Sequence, residues 1–313
     1  MAGISDRPRL LTLAGTSRSD ALALGAGVVT VVAWGSAFVG IRAATHSFSP
    51  GSLALGRLVV SGILLGAVAL VRRERLPQRR DLLAIAVYGV LWLAVYSATL
   101  NAAERLVDAG TAAMLINTGP ILIAILAGLF LREGFPPALF AGSAVAFAGA
   151  VVIGLATTRS AGTGGVGLGL CVVAALAYAT AVVVQKPVLA RVSSFQVTWL
   201  GVVAAAVALV PFGPSLAAET AKAGLSGIGW VIYLGAVPTA LGFATWGFAL
   251  RRTSAGRMAS LTFLIPVVAI VLGWVLLGET PPLLALAGGA LCIAGVYVAR
   301  RPSPGSKRSE AIT

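Results

Sequence analysis

The sequence predicts an all-α integral membrane protein with ten transmembrane helices, arranged as two inverted five-helix repeats. Three observations indicate this fold. Of the 313 residues, 58% are hydrophobic and only 11% are charged, which is more apolar surface than a soluble core of this size can bury. Ten apolar stretches of the ~20 residues that a bilayer requires follow one another. The chain also repeats itself at a fixed offset.

The predicted spans lie between two polar tails, residues 1–21 and 302–313. The first span is too long for a signal-peptide core, so we expect it to be retained as a helix. The stretches lack the alternation of barrel strands, and a single helix satisfies its own backbone in lipid. The ten spans are at about 22–44, 52–71, 82–103, 108–131, 136–157, 166–186, 194–212, 226–250, 254–277 and 281–299.

An internal repeat divides the chain into the halves 22–158 and 159–301, joined by the Gly- and Ser-containing segment 159–165. Three residues recur 146 positions later without a gap (266−120, 279−133, 295−149), as the pairs Pro120 and Pro266, Glu133 and Glu279, and Gly149 and Gly295. Each half has an odd number of spans. The second half must therefore enter the membrane from the opposite side, as in transporters built from inverted repeats.

The basic residues predict that both termini are cytoplasmic. If the N-terminus is inside, 18 of the 23 Lys and Arg residues lie on the cytoplasmic side. Arg57 lies within a span, and four residues lie outside, namely Arg42, Arg105, Arg159 and Lys222. Such a bias sets membrane topology. No basic stripe interleaves with exposed aromatic residues. The net charge of +13 therefore indicates topology, and we expect no nucleic-acid partner.

Short motifs in both halves resemble one known family. WGSAF begins at Trp34, Pro50 precedes Arg57 in the stretch LALGRLVVSGILL, and a doubled pattern of SAG, Pro, GE, Gly and AG runs through the end of each half. With ten spans, these motifs resemble the drug/metabolite transporter superfamily, in particular EamA-type bacterial exporters and their aromatic and hydrophobic amino-acid exporter branch. The resemblance covers about residues 22–300. The first half departs from it, with AGTAAM and REGF where the second half has SAGRMA and GETP.

The resemblance implies a multi-pass exporter of the bacterial inner membrane, with a central cavity between the first, third, fourth, sixth, eighth and ninth helices. We therefore expect a secondary transporter that exports amino acids, aromatic or otherwise uncharged, or similar small metabolites by alternating access. A broad-specificity drug or metabolite exporter is the alternative, and a membrane scaffold or receptor is a third reading. The expected partners are a small-molecule substrate and the lipid bilayer, with the chain as a monomer.

Aromatic residues are the leading candidates for the substrate site. Tyr88, Trp92 and Tyr96 share one face of the third span, followed by Thr99. Trp92 and Tyr96 lie near mid-span, where their polar tips need a partner. The face therefore either packs or lines a cavity. Four further residues could complete an aromatic wall, namely Trp34, Tyr178, Phe243 and Trp246. Asn101 and Asn117 are expected either to contact substrate or to join helices.

Two prolines and one arginine complete the candidate residues. Pro120 and Pro266 lie in mid-span, where each frees a backbone carbonyl, and we expect them to kink the helices as hinges or as fixed bends. Arg57 lies inside the second span and is a possible charge site, although its long side chain could reach the surface instead. Glu133 and Glu279 are expected to have a structural role, either capping helix starts or ordering the short loops before Pro136 and Pro282.

Several kinds of chemistry find no support in the sequence. No Asp or Glu falls at the centre of a span, so the carboxylate relay of a proton pump is missing and both proton coupling and facilitated diffusion stay open. No nucleotide-binding, hydrolase or metal-binding motif is present. Cys171 and Cys292 lie inside apolar spans and indicate packing. We therefore expect no enzyme activity, no cofactor and no metal.

Overall fold

The computed structural model describes residues 18–103, 106, 115–157, 165–278 and 280–301. This part of the chain is helical and contains no strand. Its helices are α1 Arg18–Ala44, α2 Pro50–Arg72, α3 Arg79–Ala103, α4 Gly119–Phe130, α5 Pro137–Thr157, α6 Gly165–Val188, α7 Ser194–Ala208, α8 Gly213–Lys222, α9 Leu225–Arg252, α10 Ala255–Leu276 and α11 Leu283–Ala299. The predicted linker and C-terminal tail, most of the N-terminal tail, and Glu279 lie outside the described residues.

Within the described ranges, seven helices are long and apolar enough to cross a membrane, or eight if the bent pair α7 and α8 counts as one span. Each of the ten predicted ranges contains a helix, and the number of transmembrane spans, ten, stays a prediction. The spans expected at 108–131 and 281–299 correspond to the shorter helices α4 and α11, and the first part of the former lies outside the described residues.

One helix was not predicted from the sequence. Residues 213–222, read as a loop, form α8, which bends by 58° from the preceding helix. The bend lies at a 3₁₀ turn that contains Pro211, because proline cannot donate the hydrogen bond that would continue α7. Glu219 of α8 accepts a hydrogen bond of 2.8 Å from the backbone nitrogen of Ser49, which holds α8 against the start of α2.

Contacts between junctions define two ends of the bundle. At the end that we call the arginine-rich end, Arg191 forms an ion pair of 2.6 Å with the buried Asp81, which joins the α6–α7 and α2–α3 junctions. Lys186 donates hydrogen bonds to the Leu250 and Thr253 carbonyls, which adds the α9–α10 junction. At the opposite end, Asn101 Nδ2 donates to the Pro50 carbonyl at 3.2 Å.

Helices α5 and α11 pack antiparallel with their backbones in contact. A Cβ atom on Gly142 would lie 2.2 Å from the Ala299 nitrogen, and one on Gly288 would lie 2.7 Å from the Gly149 carbonyl oxygen. Small residues permit this close approach in membrane helices. The contacts are reciprocal, because Gly142 and Gly288 are repeat mates (288−142 = 146) and each meets the backbone of the other helix.

Two π-helical segments interrupt α3 and α9 at matched positions. They span Gly89–Tyr96 and Gly235–Leu241, and their first residues are 146 apart (235−89). A Cβ on Gly89 would lie 2.2 Å from the Gly201 carbonyl oxygen, and one on Gly235 would lie 2.9 Å from that of Arg57. The two π-helical segments therefore make the same kind of contact, one with Gly201 of α7 and the other with Arg57 of α2.

Glu133 connects the two halves at the arginine-rich end. It follows α4, and its carboxylate accepts hydrogen bonds from the backbone nitrogens of Ala255 at 2.8 Å and Gly256 at 3.3 Å. Unpaired amides at a helix start favour an anion. The capping role expected for Glu133 is therefore found, and the helix that it caps is α10 of the other half.

Replacing Glu133 by alanine is expected to lower the free energy of unfolding by about 1–3 kcal/mol, because two backbone amides lose a charged acceptor. The apparent melting temperature of the detergent-purified protein is the measurement. Glu74→Ala is the matched control, since this glutamate contacts the side chains of Arg72 and Ser193 on a partly exposed surface and caps no described helix, and such surface contacts contribute little. Equal melting temperatures for the two variants would contradict the cap.

Candidate functional site

All of the predicted aromatic residues meet in the middle of the bundle, where they form what we call the aromatic cluster. Its members are Trp34 of α1, Tyr88, Trp92 and Tyr96 of α3, Tyr178 of α6, and Phe243 and Trp246 of α9. Trp92 is central. Its ring centroid lies 4.8 Å from that of Tyr178, 5.0 Å from that of Phe243 and 5.2 Å from that of Trp246.

Glycines on neighbouring helices make room for two of the rings. A Cβ on Gly201 would lie 2.6 Å from the Tyr88 ring, and one on Gly119 would lie 2.6 Å from the Tyr178 ring. Trp92 is 3% exposed and Trp246 is fully buried. The rings therefore fill the space between the helices in this conformer, and the residues expected to line a central cavity contact one another instead.

The polar tips of two tryptophans have partners inside the bundle. Trp34 Nε1 donates to the Pro238 carbonyl at 3.0 Å, within the π-helical segment of α9. Trp246 Nε1 donates to Gln185 Oε1 at 3.1 Å, and both side chains are fully buried. The sequence analysis missed Gln185. The signal that could have found it is an amide side chain inside an otherwise apolar span, which must be hydrogen-bonded there.

The predicted polar residues lie elsewhere. Thr99 donates to the Val95 carbonyl of its own helix at 2.7 Å. Asn101 joins α3 to the start of α2 at the opposite end, as the packing alternative for this residue expects. Asn117 is buried in the turn before α4. Thr99 also lies 3.2 Å from the Tyr96 carbonyl of its own helix, so these hydrogen bonds of Thr99 and Asn101 go to backbone carbonyls and to no aromatic side chain.

Each predicted hinge proline stands at the start of a helical segment that follows an interruption. Pro120 lies in the first turn of α4, after a turn at residues 117–118. Pro266 lies in the first turn of the segment Ile265–Leu277, after a 3₁₀ stretch at Leu261–Leu264. Pro266 cannot donate a hydrogen bond to the Thr262 carbonyl four residues earlier. This carbonyl accepts a hydrogen bond from the Ile265 nitrogen instead. A break before α4 and a matched break within α10 are thus part of the fold.

A small cleft lies beside the aromatic cluster, in the half of the bundle nearer the opposite end. Its polar lining is Arg57, Ser97 and Thr239, and its apolar lining is Ala54, Leu58, Leu93 and Phe243. Arg57 Nε and Nη2 both lie 3.3 Å from Thr239 Oγ1. The Arg57 side chain is therefore held inside the bundle by α9. In this conformer the cleft has room for about one water molecule.

Residues 21–155 and 165–301 each match the EamA-like transporter family. The chain belongs to this family. As an EamA-like protein with several membrane-crossing helices, it is a multi-pass transporter of the bacterial inner membrane, and its family indicates transport rather than enzyme activity.

Similar proteins support this assignment over most of the chain. The chain is 38% identical over 281 residues to the "Probable terminal-alkyne amino-acid exporter" of Streptantibioticus cattleyicolor, with 90% of this chain and 94% of the relative covered. It is 29% identical over 281 residues to the "Probable amino-acid metabolite efflux pump" of Salmonella typhimurium, with 87% and 92% covered. A solved structure with a TM-score of 0.74 covers 90% of this chain and 96% of its own at 22% identity, which shows that the two share a fold.

Proposed function

We propose that this EamA-like protein is a secondary transporter that exports amino acids with aromatic or other uncharged side chains, or similar small metabolites, across the inner membrane. The name of the Streptantibioticus relative supports amino acids as the substrate class, because an alkyne-bearing side chain is apolar and uncharged. The proposal includes a monomer whose partners are its substrate and the surrounding lipid.

The observation that carries the proposal is the arrangement of the cleft and the aromatic cluster. The cleft with Arg57 lies toward the opposite end. Toward the arginine-rich end, the rings of Trp92 and Trp246 fill the middle, and Lys186 and Glu133 hold the α9–α10 junction. A site that is blocked toward one end is the arrangement that alternating access requires in one of its two states.

Two five-helix halves, 22–158 and 159–301, would provide the second state. The reciprocal α5–α11 contacts, the matched π-helical segments, and the two ranges that match the family support inverted repeats with ten spans. In this topology the arginine-rich end and both termini are cytoplasmic, because basic loops remain on that side. The matched breaks before Pro120 and Pro266 would act as hinges when one half rocks against the other.

A second candidate is a broad-specificity drug or metabolite exporter. The Salmonella relative, which is named as an efflux pump for amino-acid metabolites, favours it, as does an aromatic cluster without fixed charge, since apolar surfaces discriminate weakly between ligands. A scaffold or receptor without transport is the remaining alternative, and the flux measurement below separates it from both transporters.

We expect purified protein in liposomes to give saturable flux of phenylalanine and methionine, and little flux of glutamate or a nucleoside. The flux should not depend on a pH gradient, because the described spans contain no central carboxylate to carry a proton. The measurement is uptake of labelled solute with and without the gradient, with protein-free liposomes as the control. Saturable flux of nucleosides or dyes without amino acids would favour the broad exporter, and no flux of any solute by folded protein would favour the scaffold.

A further inference from the structure

Arg57 is a cation inside the membrane region without an ionic partner in the described part of the chain. The ion pairs of Arg72 with Glu74 and of Arg191 with Asp81 are both at the arginine-rich end. The guanidinium reaches only the neutral hydroxyl of Thr239. A charge inside the membrane region is unfavourable, and such residues commonly mark a substrate or ion path.

The hydrogen-bonding groups around Arg57 leave it able to bind an anionic group of a small molecule. Thr239 donates its own proton to the Leu234 carbonyl at 2.8 Å, so its oxygen can accept from Arg57, and the remaining guanidinium donors are available to a ligand. The Ser97 hydroxyl lies in the same cleft. Leu93 and Phe243 connect the cleft to the aromatic cluster.

We propose that the cleft is a carboxylate-binding site in which Arg57 holds the carboxylate of the transported molecule. Guanidinium matches carboxylate through two parallel hydrogen bonds, and an apolar side chain would extend past Leu93 and Phe243. The inference rests on the proposed transport function and adds the recognised group to it.

The cleft offers no corresponding charge for an ammonium group. Its polar lining is one arginine and two hydroxyls, so an ammonium could meet only a neutral oxygen or the face of Phe243. The carboxylate is therefore the group that is recognised, and the amine is dispensable. Because the cleft admits about one water molecule in this conformer, both the carboxylate and the ligand's side chain need Phe243 or its neighbours to move. The Arg57 side chain is already held in place by Thr239.

Ligand competition on the wild-type protein tests the inference. Labelled phenylalanine is bound to purified protein in nanodiscs and displaced by 3-phenylpropionate, which lacks the amine, or by phenethylamine, which lacks the carboxylate. We expect 3-phenylpropionate to compete within about tenfold of phenylalanine and phenethylamine to be at least 10- to 100-fold weaker, the range that follows from a charged hydrogen bond. Equal competition by the two analogues would overturn the proposal.

Two variants separate a binding role from a structural one. Arg57→Gln should weaken binding of phenylalanine and of 3-phenylpropionate about 10- to 100-fold, with phenethylamine unaffected, and Arg57→Lys should recover part of it. Arg72→Gln, which changes an arginine at the arginine-rich end, should bind as the wild type does. If Arg57→Gln fails to fold, the wild-type ligand series decides. Retained affinity in folded Arg57→Gln would overturn the proposal.

Failure of the site and failure of the transport function give different results. If liposomes show no amino-acid flux but labelled 3-phenylpropionate binds in an Arg57-dependent manner, the transport proposal is wrong and the carboxylate site stands. If phenylalanine is transported but Arg57→Gln transports it with unchanged affinity, the site is wrong and transport stands. Absence of binding by both labelled ligands in folded protein would overturn the site.

Discussion

Replacing Gly142 by alanine is expected to destabilise the protein by about 3 kcal/mol, the upper end of the usual range for overpacked cores. The new Cβ would lie 2.2 Å from the backbone nitrogen of Ala299 and 2.5 Å from the Gly295 carbonyl oxygen. Backbone atoms cannot move aside as a flexible side chain can, so α5 and α11 must separate. The apparent melting temperature should fall by roughly 4–6 °C.

Gly169→Ala is the matched control for this prediction. Gly169 also lies in a helix, α6, but nothing is within 4 Å of a Cβ placed there. Alanine favours a helix over glycine, so the control should melt at or slightly above the wild-type temperature. If Gly142→Ala and Gly169→Ala melt together, the close α5–α11 contact is not present in the folded protein.

Truncating Trp92 to alanine is expected to reduce saturable amino-acid flux at least tenfold. Trp92 contacts the rings of Trp34, Tyr178 and Trp246, among others. Its removal leaves a hole in the middle of the bundle, and a buried Trp→Ala change lowers stability by about 3–5 kcal/mol. A hole there would also open the Arg57 cleft toward the arginine-rich end of the bundle. Flux into liposomes and the apparent melting temperature are measured on the same preparations.

Two companion variants keep this test decisive. Trp274→Ala removes a tryptophan of α10 that is 50% exposed, so its flux and melting temperature should stay close to those of the wild type. Trp92→Phe retains a ring and most of the packing, so it should fold even if Trp92→Ala does not, with flux reduced several-fold. Normal flux in folded Trp92→Phe and Trp92→Ala would assign the aromatic cluster to packing alone.

Much of the fold follows from the sequence because a membrane-spanning helix is specified by a run of consecutive apolar residues. Apolar length located a helix in each of the ten predicted ranges, and the spacing of Tyr88, Trp92 and Tyr96 placed them on one face that turns inward. The repeat also anticipated that Pro120 and Pro266 would occupy matched positions. These features depend on residue type and spacing within a single helix.

The features that were missed depend on contacts between helices. The residue types of the two π-helical segments do not distinguish them from the rest of the helices. Each segment starts at a glycine, Gly89 or Gly235, where the backbone of another helix comes close, and this contact is not visible in the sequence. Thr239 and Gln185 gained their roles from partners in distant helices, Arg57 and Trp246. Asn101 could not be assigned from the sequence, since a lone amide in a span serves substrate contact and helix packing equally well. The rings of the aromatic cluster contact one another in this conformer, and a sequence does not specify which conformer of a transporter is observed.

The contact between Gly235 and the Arg57 carbonyl, which mirrors that between Gly89 and Gly201, has a consequence for the history of the chain. Two identical copies related by a two-fold axis must carry the same residue at equivalent places. An arginine there would then appear twice, and the two like charges would repel each other within the membrane. Covalent fusion of the halves removes this requirement, so one copy can carry the arginine while the other keeps a glycine. A single arginine at this place is thus open to a chain that contains both copies and closed to a symmetric pair of identical chains.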